Sequence, residues 1–407
     1  MIESCCRICG SLNGQIAYDF GCHAYGDLFQ TSREIAVGMQ KYPLVLWRCS
    51  ACNLLQLQHE TEISTQYDNY LYFSGVTNNL MNYYDELARY LIWRLNLTQD
   101  SIIIDIGSND GSFLKNFKDL GCSTLGVEPS KPASDFANNN QIDTLNTYFT
   151  QNAVPQILSR VGRAKVISIN YTIANLPNLQ LFMENLNQIS DDSSFISIVT
   201  GYHPDQFQIN MFDYVGHDHL SYLTLQDIAK LLSRFGWEVI EAERIEHKGG
   251  SLRVLAGKVS NKNKISPSVW QLMQREEWMK TKSNEPINDL IQRVTYAADK
   301  LRITLNSIGQ PIVGIGASIS TSYLTSFLSL HTSLRELYDD DTRKIGLFSP
   351  GFGLKVSALE KLGRSAESFA LILAWQHKHK LISRLREVGF KGQVIVPLPY
   401  HEIFELS

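Results

Sequence analysis

The stretch Ile102-Ile103-Ile104-Asp105-Ile106-Gly107-Ser108-Asn109-Asp110-Gly111-Ser112-Phe113-Leu114 decides how the rest of the chain reads. β-Branched apolar residues run into an acid and a glycine, the pattern of a buried parallel strand that ends in a tight turn and feeds a helix. In open α/β sheets a ligand lies beyond the carboxyl ends of the strands, where glycine lets the backbone approach it closely. A pyrophosphate would need free N–H groups and no carboxylates. This turn instead carries Asp105 and Asp110 and lacks the third glycine of G-x-G-x-x-G. A cationic ligand such as S-adenosylmethionine, with a sulfonium and an ammonium against one carboxylate, fits it better than NAD. A second strand, residues 123–127, ends in Glu128 about twenty residues after Gly107, the separation at which a carboxylate accepts both ribose hydroxyls. The plainer alternative is a nucleotide-free sheet with capping aspartates, because a lone Gly-x-x-x-Gly is a weak signal without Glu128.

At 407 residues the chain is too long for one core, and 44% hydrophobic with 19% charged residues is an ordinary globular composition. A net charge of −4 with no basic stripe argues against nucleic acid as a partner. No apolar run approaches the roughly twenty residues that cross a bilayer, so no membrane partner is expected. The N-terminus lacks a charged-then-apolar leader, so a cytoplasmic enzyme is expected, with its seven cysteines reduced.

Four segments follow. Residues 1–60 read as a zinc-binding segment, 61–260 as an S-adenosylmethionine-binding core, 261–310 as a helical connector and 311–407 as a second α/β domain. In the first, Cys6-Arg-Ile-Cys9-Gly10 and Cys49-Ser-Ala-Cys52-Asn53 are two C-x-x-C knuckles, each followed by a residue that tolerates the left-handed turn. Four thiolates satisfy a tetrahedral Zn²⁺ with no open position, so the metal is expected to be structural. Redox chemistry is the alternative, and neither knuckle follows a strand in a βαβ pattern. Cys6 rather than Cys5 is taken as the ligand from its spacing, and Cys22 and Cys122 are expected to be buried.

The core alternates strands with helices, which predicts a doubly wound parallel sheet preceded by a helix over residues 80–97. The ends of its third and fourth strands, at Asn170–Asn175 and Thr200–His203, should open into the crevice beside Gly107. Within it, Gly216-His217-Asp218-His219-Leu220-Ser221-Tyr222 groups a base, an orienting carboxylate and a hydrogen-bond donor. A metal or two surface histidines are the competing readings, the metal disfavoured because no further His or Cys is suitably spaced. His247-Lys248-Gly249-Gly250-Ser251-Leu252-Arg253 reads equally as a hairpin turn or as an anion cradle. In the last domain Gly314 and Gly316, with Asp339 about twenty residues on, imitate half of a dinucleotide site; they are a packing relic or a substrate cradle rather than an NAD site.

These pieces, in this order, resemble the three-domain S-adenosylmethionine-dependent C-methyltransferases that act on nucleotide-linked keto-deoxysugars. The resemblance implies a zinc-binding segment, a class I methyltransferase (Rossmann-like) core and a Rossmann-like C-terminal domain. It makes Cys6, Cys9, Cys49 and Cys52 the metal ligands. Asp105, Gly107, Asn109, Asp110, Gly111, Glu128 and Asn170 become the cofactor hollow, with Tyr70, Tyr72 and Ser74 reaching into it. His219 would be the base, with His217, Asp218 and Asn175 around it, and Tyr222, Lys248, Gly250 and Arg253 would meet the substrate, a nucleotide sugar. Gly216 stands where the family commonly has a tyrosine, Asn175 where it has a histidine, and Asp218 for a glutamate. O- or N-methylation of a related sugar, or a non-catalytic scaffold that keeps the cofactor fold, are therefore the alternatives. A monomer or homodimer is expected.

Overall fold

The structure is a computed structural model that describes residues 5–61, 73–76 and 78–407. The zinc-binding segment forms three antiparallel strands, β1 (Gly14–His23), β2 (Tyr42–Cys49) and β3 (Leu55–Leu57). The central domain contributes β4 (Ile102–Ile106), β5 (Ser123–Glu128), β6 (Thr144–Asn146), β7 (Val166–Asn170) and β8 (Phe195–Gly201). A two-residue strand, β9 (Ser221–Tyr222), leaves that domain to pair with β3 and becomes the fourth strand of the N-terminal sheet. β10 (Trp237–Ile245) and β11 (Ser251–Lys258) complete a seven-stranded sheet in the order β10-β11-β8-β7-β4-β5-β6.

The five strands from β6 to β8 are parallel, as the alternating pattern requires, whereas β11 runs antiparallel to both β8 and β10. The doubly wound parallel arrangement holds for these five strands, and the two final strands add an antiparallel hairpin at one edge. β10 and β11 are joined by a five-residue hairpin rather than by a helical crossover, and only antiparallel neighbours admit so short a link. The same fact resolves His247–Gly250 as the hairpin connection, a 3₁₀ turn over His247–Gly249 with Gly250 at φ 120°.

Helices on both faces bury the sheet. Asn78–Leu95 packs Leu80, Tyr84, Leu87 and Leu91 against Phe113 and Phe117, beginning two residues before the expected start. Leu179–Gln188 and Leu225–Ser233 cover the other face, and the cysteine knuckles share that core through Cys6, Ile8, Trp47 and Leu54. A segment too small for a core of its own thus borrows one. Of the two remaining cysteines, Cys122 is buried as expected, while Cys22 is exposed on the edge strand β1, where its side chain falls on the solvent face.

Two connector helices, Pro267–Trp278 and Glu285–Ile308, lead to the last sheet. The first inserts Glu276 into the protein, where it accepts the backbone N–H groups of Leu225 (2.6 Å) and Gln226 (3.0 Å) and the Tyr202 hydroxyl (3.0 Å). It therefore caps a helix of the core, and burial raises its pKa to about 7. The second packs Ile287, Leu290, Val294, Leu301 and Leu305 against the C-terminal sheet. That sheet has the order β14-β13-β12-β15-β16-β17, built from β12 (Ile312–Ile315), β13 (Leu334–Asp339), β14 (Val356–Ala358), β15 (Phe369–Ile372), β16 (Gly392–Val396) and β17 (Glu402–Leu406). β13 ends at Asp339, and β14 and β17 carry too few alternating residues to be read in the sequence.

Candidate active site and metal centre

The first cluster is the cysteines. The Sγ atoms of Cys6 and Cys52 stand 3.4 Å apart, those of Cys9 and Cys49 3.6 Å apart, and all four lie within 4.8 Å of one another. Four sulfurs at the usual Zn–S distance of about 2.3 Å would be separated by about 3.8 Å, so the set fits a tetrahedral zinc ion. Each knuckle closes as expected. Gly10 (φ 75°) donates its N–H to the Cys6 carbonyl and Asn53 (φ 64°) to that of Cys49. The near pairs cross between knuckles instead of lying within either C-x-x-C, which is not a dithiol redox arrangement. Cys5 is exposed and outside the cluster. Among the described residues the four cysteines are the one group of metal-type ligands that converges, and His217 and His219 form none.

At the mouth of β4 the turn is shaped by close approach. Gly107 has φ 75°, and a Cβ there would lie 2.3 Å from the Thr172 hydroxyl; Gly111 has φ 76°, and its Cβ would lie 2.9 Å from Ile142. The acids that first identified the turn are largely spent on building it. Asp105 accepts from the Ser168 hydroxyl and from Asn170 Nδ2 (3.3 Å). Buried completely, its carboxyl titrates near 7 because desolvation outweighs those bonds. Asp110 accepts the N–H groups of Gly75 (2.8 Å) and Ser112 (3.1 Å), and Ser74 donates its N–H to Asn109 Oδ1 (2.9 Å). The end of the tyrosine-rich segment is thereby clipped over the turn; Tyr70 and Tyr72 lie outside the described residues.

Glu128, at the end of β5, accepts the N–H groups of Asn109 and Ser130, both at 2.8 Å, one on each oxygen. Burial pushes its pKa up while those two bonds hold it down. Each oxygen keeps a second lone pair for a ribose hydroxyl. Asn170 Oδ1 at the end of β7 is buried without a hydrogen-bond partner among the described residues, an acceptor suited to an ammonium. These two features make the hollow fit S-adenosylmethionine.

The histidine loop leaves the short helix His203–Gln208 and returns along β9. His219 Nδ1 lies 2.9 Å from the Tyr214 carbonyl, an acceptor, so Nδ1 carries the proton and Nε2 keeps its lone pair. The ring stacks on Tyr214 at 4.0 Å, and Nε2 lies 3.7 Å from Asp218 Oδ2. Asp218 Oδ1 is buried and without a hydrogen-bond partner among the described residues. Its charge helps hold the buried hydroxyls of Tyr214, Tyr222 and Tyr323 well above the ordinary phenol range, with desolvation the larger cause in each.

His217 is placed differently. It is buried between domains, Nδ1 3.2 Å from the Tyr323 hydroxyl and Nε2 3.2 Å from the Tyr42 carbonyl, and burial lowers its pKa to about 4. It reads as a neutral strut. Tyr222 is likewise buried, its hydroxyl accepting the Gly216 N–H at 3.3 Å. Asn175 closes the 3₁₀ turn after β7, whose Thr172 fills the space beside Gly107.

Of the residues expected to meet substrate, Lys248 sets its ammonium 3.8 Å from the Tyr171 ring centre, and although the residue as a whole is exposed, desolvation there lowers its pKa to about 8 while Asp218 pulls it upward. Gly250 lets the hairpin pack on Asp205, where a Cβ would come within 2.7 Å. Arg253 faces elsewhere, paired with Glu243 and lying over Tyr90 at 4.4 Å.

Three tyrosines that the sequence reading left unassigned wall this crevice: Tyr171, Tyr214 and Tyr323. Two of them are marked by glycines. A Cβ at Gly201 would fall 1.9 Å from the Tyr214 hydroxyl oxygen, and one at Gly216 would fall 2.9 Å from Tyr323 Cε2. The glycine standing where a tyrosine was expected is thus the notch that admits a tyrosine from the C-terminal domain.

Three family models match in succession: "Putative zinc binding domain" over residues 6–67, "Methyltransferase domain" over 80–242, and "C-methyltransferase C-terminal domain" over 246–399. The chain is 23% identical to the C-methyltransferase NovU of Streptomyces niveus over 399 residues, covering 97% of this chain and 95% of that relative. Among solved structures, magnesium protoporphyrin IX methyltransferase from Synechocystis PCC 6803 with bound SAH aligns at 13% identity and a TM-score of 0.35, covering 44% of this chain and 82% of that one. The plantazolicin methyltransferase BpumL aligns at 17% identity and a TM-score of 0.36, covering 48% and 90%. With its zinc-binding segment, methyltransferase core and C-methyltransferase C-terminal domain all matched in order, the chain belongs to the three-domain S-adenosylmethionine-dependent C-methyltransferases.

Proposed function

We propose that the chain methylates the carbon next to the ketone of a nucleotide-linked keto-deoxysugar. One observation carries the reading: His219 is fixed as a base, its Nδ1–H spent on the Tyr214 carbonyl and its Nε2 lone pair, 3.7 Å from Asp218 Oδ2, not taken up by a hydrogen bond among the described residues. An oxygen or nitrogen nucleophile needs little help in accepting a methyl group, whereas a C–H does. A ketone at C4 acidifies the hydrogen on C3, and His219 Nε2 removes it, leaving an enolate. Asp218 stabilises the imidazolium so formed, and stacking on Tyr214 keeps the ring in place. Asn175 donates to the developing enolate oxygen. Lys248 receives the diphosphate, a task that Arg253 is not free to share while Glu243 holds it.

Glu128, Asn170 and the Gly107 turn hold S-adenosylmethionine, which supplies a methyl group on a positively charged sulfur for the enolate carbon. The buried tyrosines around Asp218 keep water from reprotonating that carbon.

The test is His219→Gln assayed against a panel of keto-sugar nucleotides with labelled cofactor. Turnover should fall about 10²–10⁴-fold. Exchange of the sugar C3 hydrogen with solvent deuterium should fall with it, while calorimetry gives an unchanged affinity for S-adenosylmethionine. Undiminished turnover, or a product labelled on oxygen or nitrogen, rejects the assignment.

A further inference from the structure

We infer that Arg7, between the zinc-ligating Cys6 and Cys9, is a positioning residue for the His219 loop. The inference rests on the reading of His219 as the base. Arg7 is only 4% exposed, and burying a guanidinium costs several kcal/mol unless its donors find fixed acceptors. Its partners are unusual for a residue in a metal knuckle. Nη2 pairs with Glu60 at 3.0 Å, while Nη1 donates to the Leu57 carbonyl at 2.9 Å and to the Leu220 carbonyl at 3.2 Å.

Leu220 follows His219 directly. Its carbonyl also accepts the Leu57 N–H at 2.9 Å, so both of its lone pairs are fixed from the N-terminal domain. The Arg7 backbone N–H in turn donates to Gln56 Oε1 at 2.9 Å, and Gln56 pairs with Ser221 across β3 and β9. The knuckle therefore grips the chain at the two residues that follow the base. On the other flank the grip comes from the C-terminal domain, where Trp375 Nε1 (3.0 Å) and Gln376 Nε2 (2.8 Å) donate to Asp213 and the Tyr323 hydroxyl accepts the His217 N–H (3.1 Å). Between these anchors the imidazole has, among the described residues, one ring bond, to Tyr214. A sub-ångström shift of Leu220 moves Nε2 relative to a substrate carbon held from Asn175 and Lys248, and proton transfer tolerates little misplacement.

The experiment compares wild type with Arg7→Met, using hydrogen exchange and ¹⁵N-histidine NMR of the intact chain loaded with zinc alone. Zinc content should stay at one per chain, and S-adenosylmethionine affinity should stay within twofold. The amides of Leu57 and His219 should exchange at least tenfold faster, and His219 should lose its single Nδ1–H signature for a mixture of tautomers. With substrate, kcat should fall at least tenfold. Arg7→Met that keeps both the amide protection and the tautomer overturns the inference. If Arg7→Met does not fold, Glu60→Gln loosens the same guanidinium from outside the knuckle: exchange a few-fold faster at the two amides supports the inference, and unchanged exchange overturns it. Should His219→Gln turn over normally, the base assignment fails, while the exchange and tautomer readouts still decide whether Arg7 orders the loop.

Discussion

Two turns in this molecule share a grammar and do different work. After β4 the chain runs Asp105-Ile-Gly107, and Glu128 at the end of the next strand reaches back to the Asn109 N–H. After β12 it runs Gly314-Ile-Gly316, and Asp339 at the end of the next strand reaches back to the Ala317 N–H at 2.5 Å. The difference lies in what stands two residues before the second position of each pair and in what crosses the mouth. Asp105 is a buried acid bonded to Ser168 and Asn170, whereas a Cβ at Gly314 would meet Leu373 and Leu337 within 2.7 Å. Ser74 and Gly75 border the first mouth through backbone N–H groups. The second is bridged by Lys344, which donates to the Ala317 carbonyl (2.9 Å) and pairs with Asp27 of the N-terminal domain (2.6 Å). The first hollow is the one proposed for the cofactor, and the second is an interdomain socket.

The strongest break of this comparison is a matched pair of substitutions. Gly107→Ala places a Cβ 2.3 Å from Thr172 at a φ that L-residues avoid, so the turn must open. Affinity for S-adenosylmethionine should fall about 100-fold, near 2.7 kcal/mol. Gly316→Ala is as strained, with φ 104° and Cβ 2.7 Å from Ala374, and should lower the urea midpoint while leaving that affinity within twofold. Calorimetry on both variants settles it: equal losses of affinity would make the two turns one site.

The sequence showed the first turn plainly and the second only as an imitation, for a physical reason. A strand, a glycine and an acid about twenty residues on report backbone geometry, which both turns share. What distinguishes them is a lysine and an aspartate more than three hundred positions apart, and no local pattern carries that. The cysteine knuckles were legible down to the register of Cys6 because metal geometry fixes ligand spacing. The histidine loop was legible as chemistry, but the contrast between exposed-edged His219 and interior His217 depends on Tyr42 and Tyr323 from other domains. Arg253, which looked like a cation for phosphate, is claimed by Glu243 on the neighbouring strand.

A middle-sized effect sharpens the comparison through pH. Burial raises the Asp105 pKa to about 7, above an unfolded value of about 3.9. The folded state therefore binds this proton more tightly than the unfolded chain. The resulting stability is fully present below the unfolded pKa and is lost as pH rises through about 7. Asp105→Asn mimics the protonated acid and can still accept from Ser168. Its stability relative to wild type should improve between pH 5 and pH 8 by on the order of 1–3 kcal/mol in urea unfolding. Gly314→Ala, with no ionisable neighbour of that kind, should show a penalty of the same size at both pH values. A gap for Asp105→Asn that ignores pH would mean that the carboxyl is ionised throughout.

The smallest effect concerns the bridge across the second mouth. Lys344 and Asp27 are each partly open to solvent, with side chains 20% and 30% exposed, so water screens much of their attraction. Lys344→Met keeps the aliphatic stem but removes the ion pair, the bond to the Ala317 carbonyl and the ammonium that lies 4.9 Å from the Phe29 ring centre. That carbonyl, on a residue only 2% exposed, then loses its charged donor, and the cost should be about 1 kcal/mol. A double-mutant cycle with Asp27→Asn separates the two contributions: the coupling should stay below about 1 kcal/mol, with the carbonyl bond making up the rest. The sharper readout is again the cofactor. Because Lys344 meets Asp27, Ala317 and Phe29 and none of the hollow's described residues, S-adenosylmethionine should bind the variant as it binds wild type. A change beyond twofold would show that the socket and the hollow communicate.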